Sequence, residues 1–206
     1  AILGGAKVSD KIGVFRNLMD KVDVFLVGGG MAFTFLKADG AEIGDSMLEP
    51  DHVQEARSIL DAAAESGKSI ILPEDAVIAR EVEENAESRV APAREIPAGW
   101  KGLDIGPETT GTFEERLSDA RTIVWNGPVG VFELEPFASG TMALARAVAD
   151  RTRSGAVSIV GGGDSAAAVA KAGVAGDVTH VSTGGGASLM FLEGRPLPGV
   201  AALSDA

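Results

Sequence analysis

The 206-residue sequence contains no cysteine, which excludes disulfides, thiolate metal sites and cysteine nucleophiles. It also lacks a run of about 18 apolar residues, the minimum for a membrane-spanning helix. The first residues form an apolar run and a glycine turn rather than a basic leader, so we expect no signal peptide. These absences predict a cytoplasmic protein with no membrane partner.

Basic residues are scarce, with 18 Lys and Arg against 30 Asp and Glu and a formal net charge of −12. An acidic surface of this kind repels nucleic acid and anionic lipid, so we expect neither as a partner. Any phosphate ligand must be held by a few local donors against an unfavourable field. The positions of the few lysines are therefore informative.

Glycine, in contrast, is abundant and regularly placed. Six short apolar runs recur along the chain; five end in a glycine turn, and the third ends at Pro73. Glycine at a strand end allows a sharp turn and lets a ligand approach the backbone N–H groups. Such turns at one sheet edge predict a site for a bulky anion, most simply a nucleotide. The runs are Ala1–Leu3, Val22–Val27, Ile70–Leu72, Thr122–Trp125, Val157–Val160 and Val178–Ser182.

Helical patterns alternate with these runs. This alternation predicts an α/β fold, a doubly wound, Rossmann-like and mainly parallel six-stranded sheet with helices on both faces, in a single domain over residues 1–206. Glu83–Trp100 interrupts the alternation and is predicted to form an excursion off the sheet, whereas Glu193–Ala206 is predicted to be a tail. The predicted helices are Ser9–Lys21 (capped by Ser9), Met31–Lys37, Asp51–Ser66, Phe113–Ala120, Gly140–Arg153 and Asp164–Ala172.

Two lysines flank the first predicted helix start. Lys7 lies in the turn after the first run, and Lys11 follows four positions later. Both ammonium groups are placed to reach an anion attracted by the exposed N–H groups of a helix start. The alternative is two solvated surface lysines. The spacing differs from that of the Walker A loop.

The segment Gly161-Gly162-Gly163-Asp164-Ser165 joins a strand, a glycine turn and a helix start. Its N–H groups can cradle phosphate, and Asp164 can hold Mg²⁺ through oxygen. Alternatively, Asp164 only caps the helix. The same strand, glycine and helix pattern recurs at Gly184–Gly186.

The segment Trp125–Glu133 offers an amide at the sheet edge, a rigid Gly-Pro turn and a terminal carboxylate. Asn126 can donate to a phosphate, Pro128 and Val131 can line a ring or sugar, and Glu133 can accept from ribose hydroxyls. Trp125 is predicted to lie in the core. Similarly, His180 is predicted to be a structural histidine within an apolar strand.

Taken together, these segments resemble the phosphoglycerate kinase family, and specifically its C-terminal, nucleotide-binding half. The resemblance implies a phosphotransferase of glycolysis with a carboxyl acceptor, which passes a phosphoryl group between ATP and 3-phosphoglycerate to give ADP and 1,3-bisphosphoglycerate. The six matching segments, in family order, are Ala1–Ile12, Gly28–Lys37, Gly102–Pro107, Trp125–Glu133, Gly161–Ser165 and Ser182–Val200.

The resemblance also implies roles for individual residues and for missing parts. Glycerate binding would need the N-terminal domain of the family, and the tail Glu193–Ala206 would pack toward that domain. The isolated half would be a monomer that binds ADP or ATP with negligible turnover. Mg²⁺ would be linked to Asp164. The residues implied in phosphoryl transfer are Lys7, Gly162, Gly163 and Gly185. Those implied in nucleotide binding are Lys7, Lys11, Gly29, Gly102, Leu103, Asn126, Pro128, Val131, Glu133, Gly163, Asp164 and Ser165.

Two other functions remain open from the residues alone. A nicotinamide-dependent oxidoreductase would be favoured by Gly-x-Gly-x-x-Gly after the first strand, where this chain instead has Gly4-Gly5-Ala6-Lys7. A non-catalytic module that uses the same fold only to bind nucleotide is the other alternative.

Overall fold

The structure is a computed structural model that describes residues 1–203. Strands and helices alternate along most of the described chain. The strands are Ile2–Leu3 (β1), Val24–Val27 (β2), Glu42–Ile43 (β3), Ser69–Ile71 (β4), Asp75–Ala79 (β5), Ser88–Pro92 (β6), Glu95–Ile96 (β7), Lys101–Ile105 (β8), Thr122–Asn126 (β9), Val157–Gly161 (β10) and His180–Ser182 (β11). The helices are Ile12–Leu18 (α1), Met31–Ala38 (α2), Val53–Glu65 (α3), Pro107–Leu117 (α4), Ser139–Arg153 (α5), Gly163–Lys171 (α6), Gly185–Leu192 (α7) and Pro198–Ala201 (α8). Short 3₁₀ turns cover Pro50–His52, Glu135–Phe137 and Ala175–Asp177.

The central sheet has six strands in the order β11-β10-β9-β1-β2-β4, and every neighbouring pair is parallel. All six apolar runs therefore form strands of one sheet, as predicted. Because the strands are parallel, the turns that follow them lie at the same edge. That edge, the carboxyl edge, carries the candidate site.

Helices cover both faces of this sheet. In β1, Ile2 belongs to a core cluster with residues of α4, α5 and α6, whereas the next residue, Leu3, belongs to a second cluster with residues of α1, α2 and α3. Successive side chains of a strand point to opposite faces, so a two-residue strand contributes to both layers. The doubly wound α/β architecture is confirmed.

A smaller antiparallel sheet, in the order β6-β5-β8, extends from the main one. Strands β3 and β7 pair separately, and Ile43 and Ile96 join a third apolar cluster there. The predicted excursion over Glu83–Trp100 falls within this unit. Its flanking strands β5 and β8 were not predicted.

Two helix starts differ from the prediction. Helix α1 begins at Ile12 instead of after Ser9, whose hydroxyl donates to Glu49 Oε1 at 2.7 Å and caps no helix. Helix α4 begins at Pro107, six positions before the predicted Phe113, because the Asp75 carboxylate accepts from the N–H groups of its first turn. In both cases a side chain distant in sequence determines the local structure.

Of the two side chains predicted to be structural, Trp125 and His180, only Trp125 lies as predicted. Trp125 is fully buried, and its indole N–H donates to Gly127 O at 2.7 Å, as expected for a core tryptophan. His180, however, is exposed on the edge strand β11, which does not fit the predicted structural histidine within an apolar strand. An edge strand covered on one side leaves alternate side chains in solvent.

The predicted tail contacts α1 through its first residue, Glu193, and the preceding Leu192 does so too. Asn17 Nδ2 donates to Leu192 O at 2.9 Å, and the side chain of Glu193 lies against Gly13. The short helix α8 also lies within the predicted tail. The last residues of the tail, 204–206, lie outside the residues that the structure describes. Over residues 1–203 no helix is both long and apolar enough to span a membrane.

Candidate functional site

Three glycine turns at the carboxyl edge are joined by backbone hydrogen bonds. Gly5 N donates to Pro128 O at 2.8 Å, Gly29 N donates to Val129 O at 3.0 Å, and Met31 N donates to Gly5 O at 3.1 Å. Gly29 has a φ of +68°, and a Cβ there would lie 2.6 Å from Gly5 O. Only glycine therefore fits, and the turns after β1, β2 and β9 form one continuous backbone surface.

Lys11 and Asn126 lie at the centre of this edge. The ammonium of Lys11 donates to Asn126 Oδ1, and Asn126 Nδ2 donates to Gly161 O at 2.8 Å. Next to them, Gly127 N donates to the hydroxyl of Ser165 at 2.6 Å. These contacts join the start of α1 to the ends of β9 and β10, so residues from three turns that are distant in sequence meet at one point.

The electrostatics of the two predicted lysines differ. Lys11 is 9% exposed, and burial lowers its pKa, although the charges of Asp10, Asp164 and Glu193 oppose that shift. Lys7, by contrast, is exposed at the rim of the same edge. A buried cation that is already oriented and an exposed one at the rim suit different positions around a bound anion.

Two helix N-termini converge beside Asn126. Gly162 has a φ of +100° and ends the turn before α6, and a Cβ built there would lie 3.3 Å from Asn126 Nδ2. A Cβ on Gly185, the first residue of α7, would lie 3.5 Å from Gly163 N. The backbone N–H groups of both helix starts therefore border one concave region that is suited to an anion.

Asp164 lies exposed in the first turn of α6, while its neighbour Ser165 is fully buried. In the described chain, no group of three or more His, Asp or Glu side chains is arranged to hold a metal ion by itself. Mg²⁺ is commonly bound through one or two carboxylates together with substrate phosphates. A single exposed carboxylate beside a concave region suited to an anion fits that mode, and does not fit a site for the free ion.

Two of the predicted nucleoside residues, Gly29 and Leu103, line a small apolar cleft. Phe33 and Val129 line it as well, and its volume of about 10 Å³ is too small to admit a base. A ring would therefore have to lie on its outer rim. Val131 N donates to Leu103 O at 2.8 Å, which fixes the segment that continues from Pro128 to this wall.

Two other predicted residues are placed differently from this wall. Gly102 is buried beneath Phe33, where a Cβ would lie 2.0 Å from the ring. Glu133 is exposed, and the backbone before it is held by Lys171, whose ammonium donates to Phe132 O at 2.6 Å. The sequence analysis missed Lys171, which has no recognisable motif.

Asp104 is a second residue that the sequence analysis missed. It is 4% exposed, and its carboxylate accepts from Gly140 N at 2.7 Å, at the start of α5, and from Ile105 N at 3.0 Å. Burial raises its pKa to about 7, although both hydrogen bonds oppose the rise. A Cβ on Gly130 would lie 2.0 Å from Asp104 Oδ1, so this carboxyl supports the segment that carries Val131 and Glu133.

A larger cleft, of about 530 Å³, lies between α4 and α5. Glu114, Arg146, Asp150 and Arg151 are among its lining residues. These belong to the C-terminal halves of the two helices, which return the chain toward the amino ends of β9 and β10. None of the predicted site residues lines this cleft, so it is not part of the candidate site.

Comparison with known proteins agrees with this geometry. The family model described as phosphoglycerate kinase matches residues 1–195. The chain belongs to the phosphoglycerate kinase family. It is 57% identical over 206 residues to a phosphoglycerate kinase of Chloroherpeton thalassium, covering 100% of this chain and 52% of that protein, and 57% identical over 205 residues to one of Chloroflexus aurantiacus, covering 51% of it.

Among solved structures, the phosphoglycerate kinase of Coxiella burnetii superposes with a TM-score of 0.92 at 46% identity, over 97% of this chain and 51% of that one. The chain thus spans about half the length of the curated phosphoglycerate kinases that it matches. The resemblance drawn from the six sequence segments is confirmed at the level of family and fold.

Proposed function

We propose that this chain is the nucleotide-binding half of a phosphoglycerate kinase, an enzyme of glycolysis in the cytoplasm, and that it binds Mg-ADP or Mg-ATP at the carboxyl edge. The observation that carries the proposal is the contact of Lys11 with Asn126 and of Asn126 with Gly161, which brings a cation, an amide and a glycine turn together. We further propose that the chain is a monomer. 3-Phosphoglycerate or 1,3-bisphosphoglycerate would bind only when the other half is present, and the tail Glu193–Ala206 would pack toward that half.

Each predicted residue has a part in this proposal. Lys11 and Asn126 hold phosphate oxygens, together with the turn Gly161–Gly163 and the helix start that includes Ser165. The apolar wall of Gly29, Leu103, Pro128 and Val131 supports the base and sugar, with the backbone of Gly102 behind it, and Glu133 accepts from ribose hydroxyls. Asp164 would help to hold the Mg²⁺ that accompanies the nucleotide, and the bound ion would neutralise part of the phosphate charge.

The chemistry requires little covalent participation by the protein. In the ATP-consuming direction, the bond between the γ-phosphorus and its bridging oxygen breaks, and a carboxylate oxygen of 3-phosphoglycerate forms the new P–O bond. Because the acceptor is already ionised, no proton has to be removed and no general base is needed. Lys7 and the N–H groups at Gly162, Gly163 and Gly185 would stabilise the charge on the equatorial oxygens of the transferring group.

The experiment is a calorimetric titration of the 206-residue chain with Mg-ADP, run beside a coupled assay of phosphoryl transfer to 3-phosphoglycerate. We expect saturable binding of one nucleotide and negligible turnover, because in this proposal the other half holds the second substrate and closes over the first. Binding of NAD in preference to Mg-ADP would favour an oxidoreductase. Robust turnover would contradict the proposed division between the two halves.

A further inference from the structure

The segment between β3 and the 3₁₀ turn at Pro50–His52 crosses the carboxyl edge and is attached to several elements there. Ser46 Oγ accepts from Gly102 N at 2.9 Å, and Glu49 N donates to Thr34 Oγ1 on α2 at 3.1 Å. Between them, the sulfur of Met47 lies 2.9 Å from the position of a Cβ on Gly30. Both ends of this segment are therefore fixed to rigid elements before its last residue reaches the turn after β1.

The carboxylate of Glu49 binds that turn through both of its oxygens. Oε2 accepts from Ser9 N at 3.0 Å, and Oε1 accepts from Ser9 Oγ at 2.7 Å. Ser9 lies two positions after Lys7 and two before Lys11. Val8 is fully buried, so the turn is held by the core at Val8 and by Glu49 at Ser9, while Lys7 is exposed to solvent.

The charge state of Glu49 suits this task. Burial alone would raise the pKa of its carboxyl, but the hydrogen bonds from Ser9, together with smaller effects of the Val8 backbone and of His52, outweigh burial and lower the pKa. The group is ionised at neutral pH, and both oxygens act as acceptors. A neutral amide of the same shape would present one acceptor and one NH₂ group, and the NH₂ cannot accept from the second donor.

We propose that Glu49 is a positioning residue that holds the backbone of the Lys7 turn, so that the Lys7 ammonium points toward the phosphoryl group at the carboxyl edge. This inference rests on the proposed function, because Lys7 needs a phosphoryl group to meet. It assigns Glu49 no contact with the nucleotide. Its effect passes through Ser9 to the backbone that carries Lys7.

The first test compares Glu49→Gln with the original chain in Mg-ATP and Mg-ADP titrations. We expect Glu49→Gln to weaken Mg-ATP binding by about tenfold and Mg-ADP binding by less than about threefold, since the γ-phosphoryl group is the one that Lys7 reaches. Glu55→Gln is the matched control. It lies on α3 and pairs with Arg16 and His52, so it should leave both affinities unchanged.

The second test separates positioning from a general loss of structure. If Glu49 acts through Lys7, Glu49→Gln should have no further effect on Mg-ATP binding in a chain that already carries Lys7→Ala. An equal further loss in that background would overturn the proposal. An unchanged Mg-ATP affinity in the single variant would overturn it as well.

A failure to bind any nucleotide would refute the proposed function but would leave the role of Glu49 in the turn untouched. A nuclear magnetic resonance measurement tests that role without a nucleotide. The Ser9 amide proton should resonate downfield and exchange slowly because it donates to the Glu49 carboxylate, and Glu49→Gln should move it upfield and speed its exchange. If the Ser9 shift and its exchange rate are the same in the two chains, Glu49 does not hold the turn.

Discussion

The ammonium of Lys11 donates to Oδ1 of Asn126, a residue 115 positions away, and both side chains are at least nine-tenths buried. The amide group of Asn126 is therefore fixed in orientation, with its Nδ2 donating to Gly161 O. Through this pair, the start of α1, the end of β9 and the turn before α6 depend on one another. Several expectations about ligand binding and stability depend on this contact.

Replacing Lys11 tests the contact directly. Lys11→Met keeps the length of the side chain but leaves the buried Oδ1 of Asn126 without its donor, which should lower the free energy of unfolding by about 1–3 kcal/mol. Loss of the cation should also weaken Mg-ADP binding by about tenfold or more. Urea unfolding and calorimetry measure the two effects. The control is Lys21→Met, at an exposed lysine that donates to Asn17 O, and it should change neither the free energy of unfolding nor the Mg-ADP affinity. Equal effects of the two variants would contradict a special role of the contact between Lys11 and Asn126.

Gly162→Ala tests the turn before α6. Gly162 and Gly173 both have positive φ, at +100° and +73°, so alanine at either position should cost about 1–3 kcal/mol of stability. Only Gly162 lies beside Asn126, whereas a Cβ on Gly173 meets open space. We therefore expect comparable losses in denaturant unfolding but a loss of Mg-ADP affinity in Gly162→Ala alone. Unchanged affinity in that variant would exclude the turn from the site.

Asp104 predicts a specific pH dependence of stability. Its folded pKa is raised from 3.8 to about 7, so between these values the native state holds a proton that the unfolded chain has released. Its contribution to the free energy of unfolding is therefore greatest below pH 4. This contribution decreases by up to about 4 kcal/mol as the pH rises from 4 to 7, and it is constant above pH 7. Between pH 5 and pH 8, Asp104→Asn should therefore lose less stability than the original chain. Asp119→Asn, at an exposed carboxyl, should lose as much stability as the original chain over this range. If Asp104→Asn also loses as much as the original chain, Asp104 does not titrate in this range.

Asp164→Asn tests the link to Mg²⁺. Asp164 is exposed, so the variant should unfold within about 0.5 kcal/mol of the original chain. The increase in ADP affinity that Mg²⁺ produces should be largely lost, while ADP affinity without Mg²⁺ should stay the same or improve. Calorimetric titrations with and without Mg²⁺ measure this difference. An undiminished Mg²⁺ effect would show that the ion does not depend on Asp164.

The six strands of the main sheet could be predicted because each combines an apolar run with a turn residue, and both signals are local. The turns of β1, β2 and β9 also point to the site for a local reason, since parallel strands end at one edge. The same reasoning failed for Ser9 and for the start of α4. The decisive partners there, Glu49 and Asp75, lie 40 and 34 positions from Ser9 and Thr109 and carry no motif.

The candidate site was predictable where a residue stands in a strand end or a helix start, as Asn126 and Asp164 do. The sequence could not show that Lys11 is buried while Lys7 is exposed, because that difference depends on Asn126 reaching across from another strand. Nor could it single out Asp104 or Lys171, which contact the segment Gly130–Glu133. Their roles depend on tertiary packing, and no periodicity in the chain records that packing.

The central claim is that a Mg-nucleotide binds at the carboxyl edge of the six-stranded sheet. A titration of the ¹⁵N-labelled chain with Mg-ADP, followed by the shifts of its backbone amides, tests it most directly. We predict saturable shifts concentrated at the turns after β9 and β10, at the starts of α6 and α7, and around Gly29 and Leu103. Shifts confined to the cleft between α4 and α5, or no shifts at millimolar Mg-ADP, would contradict the account.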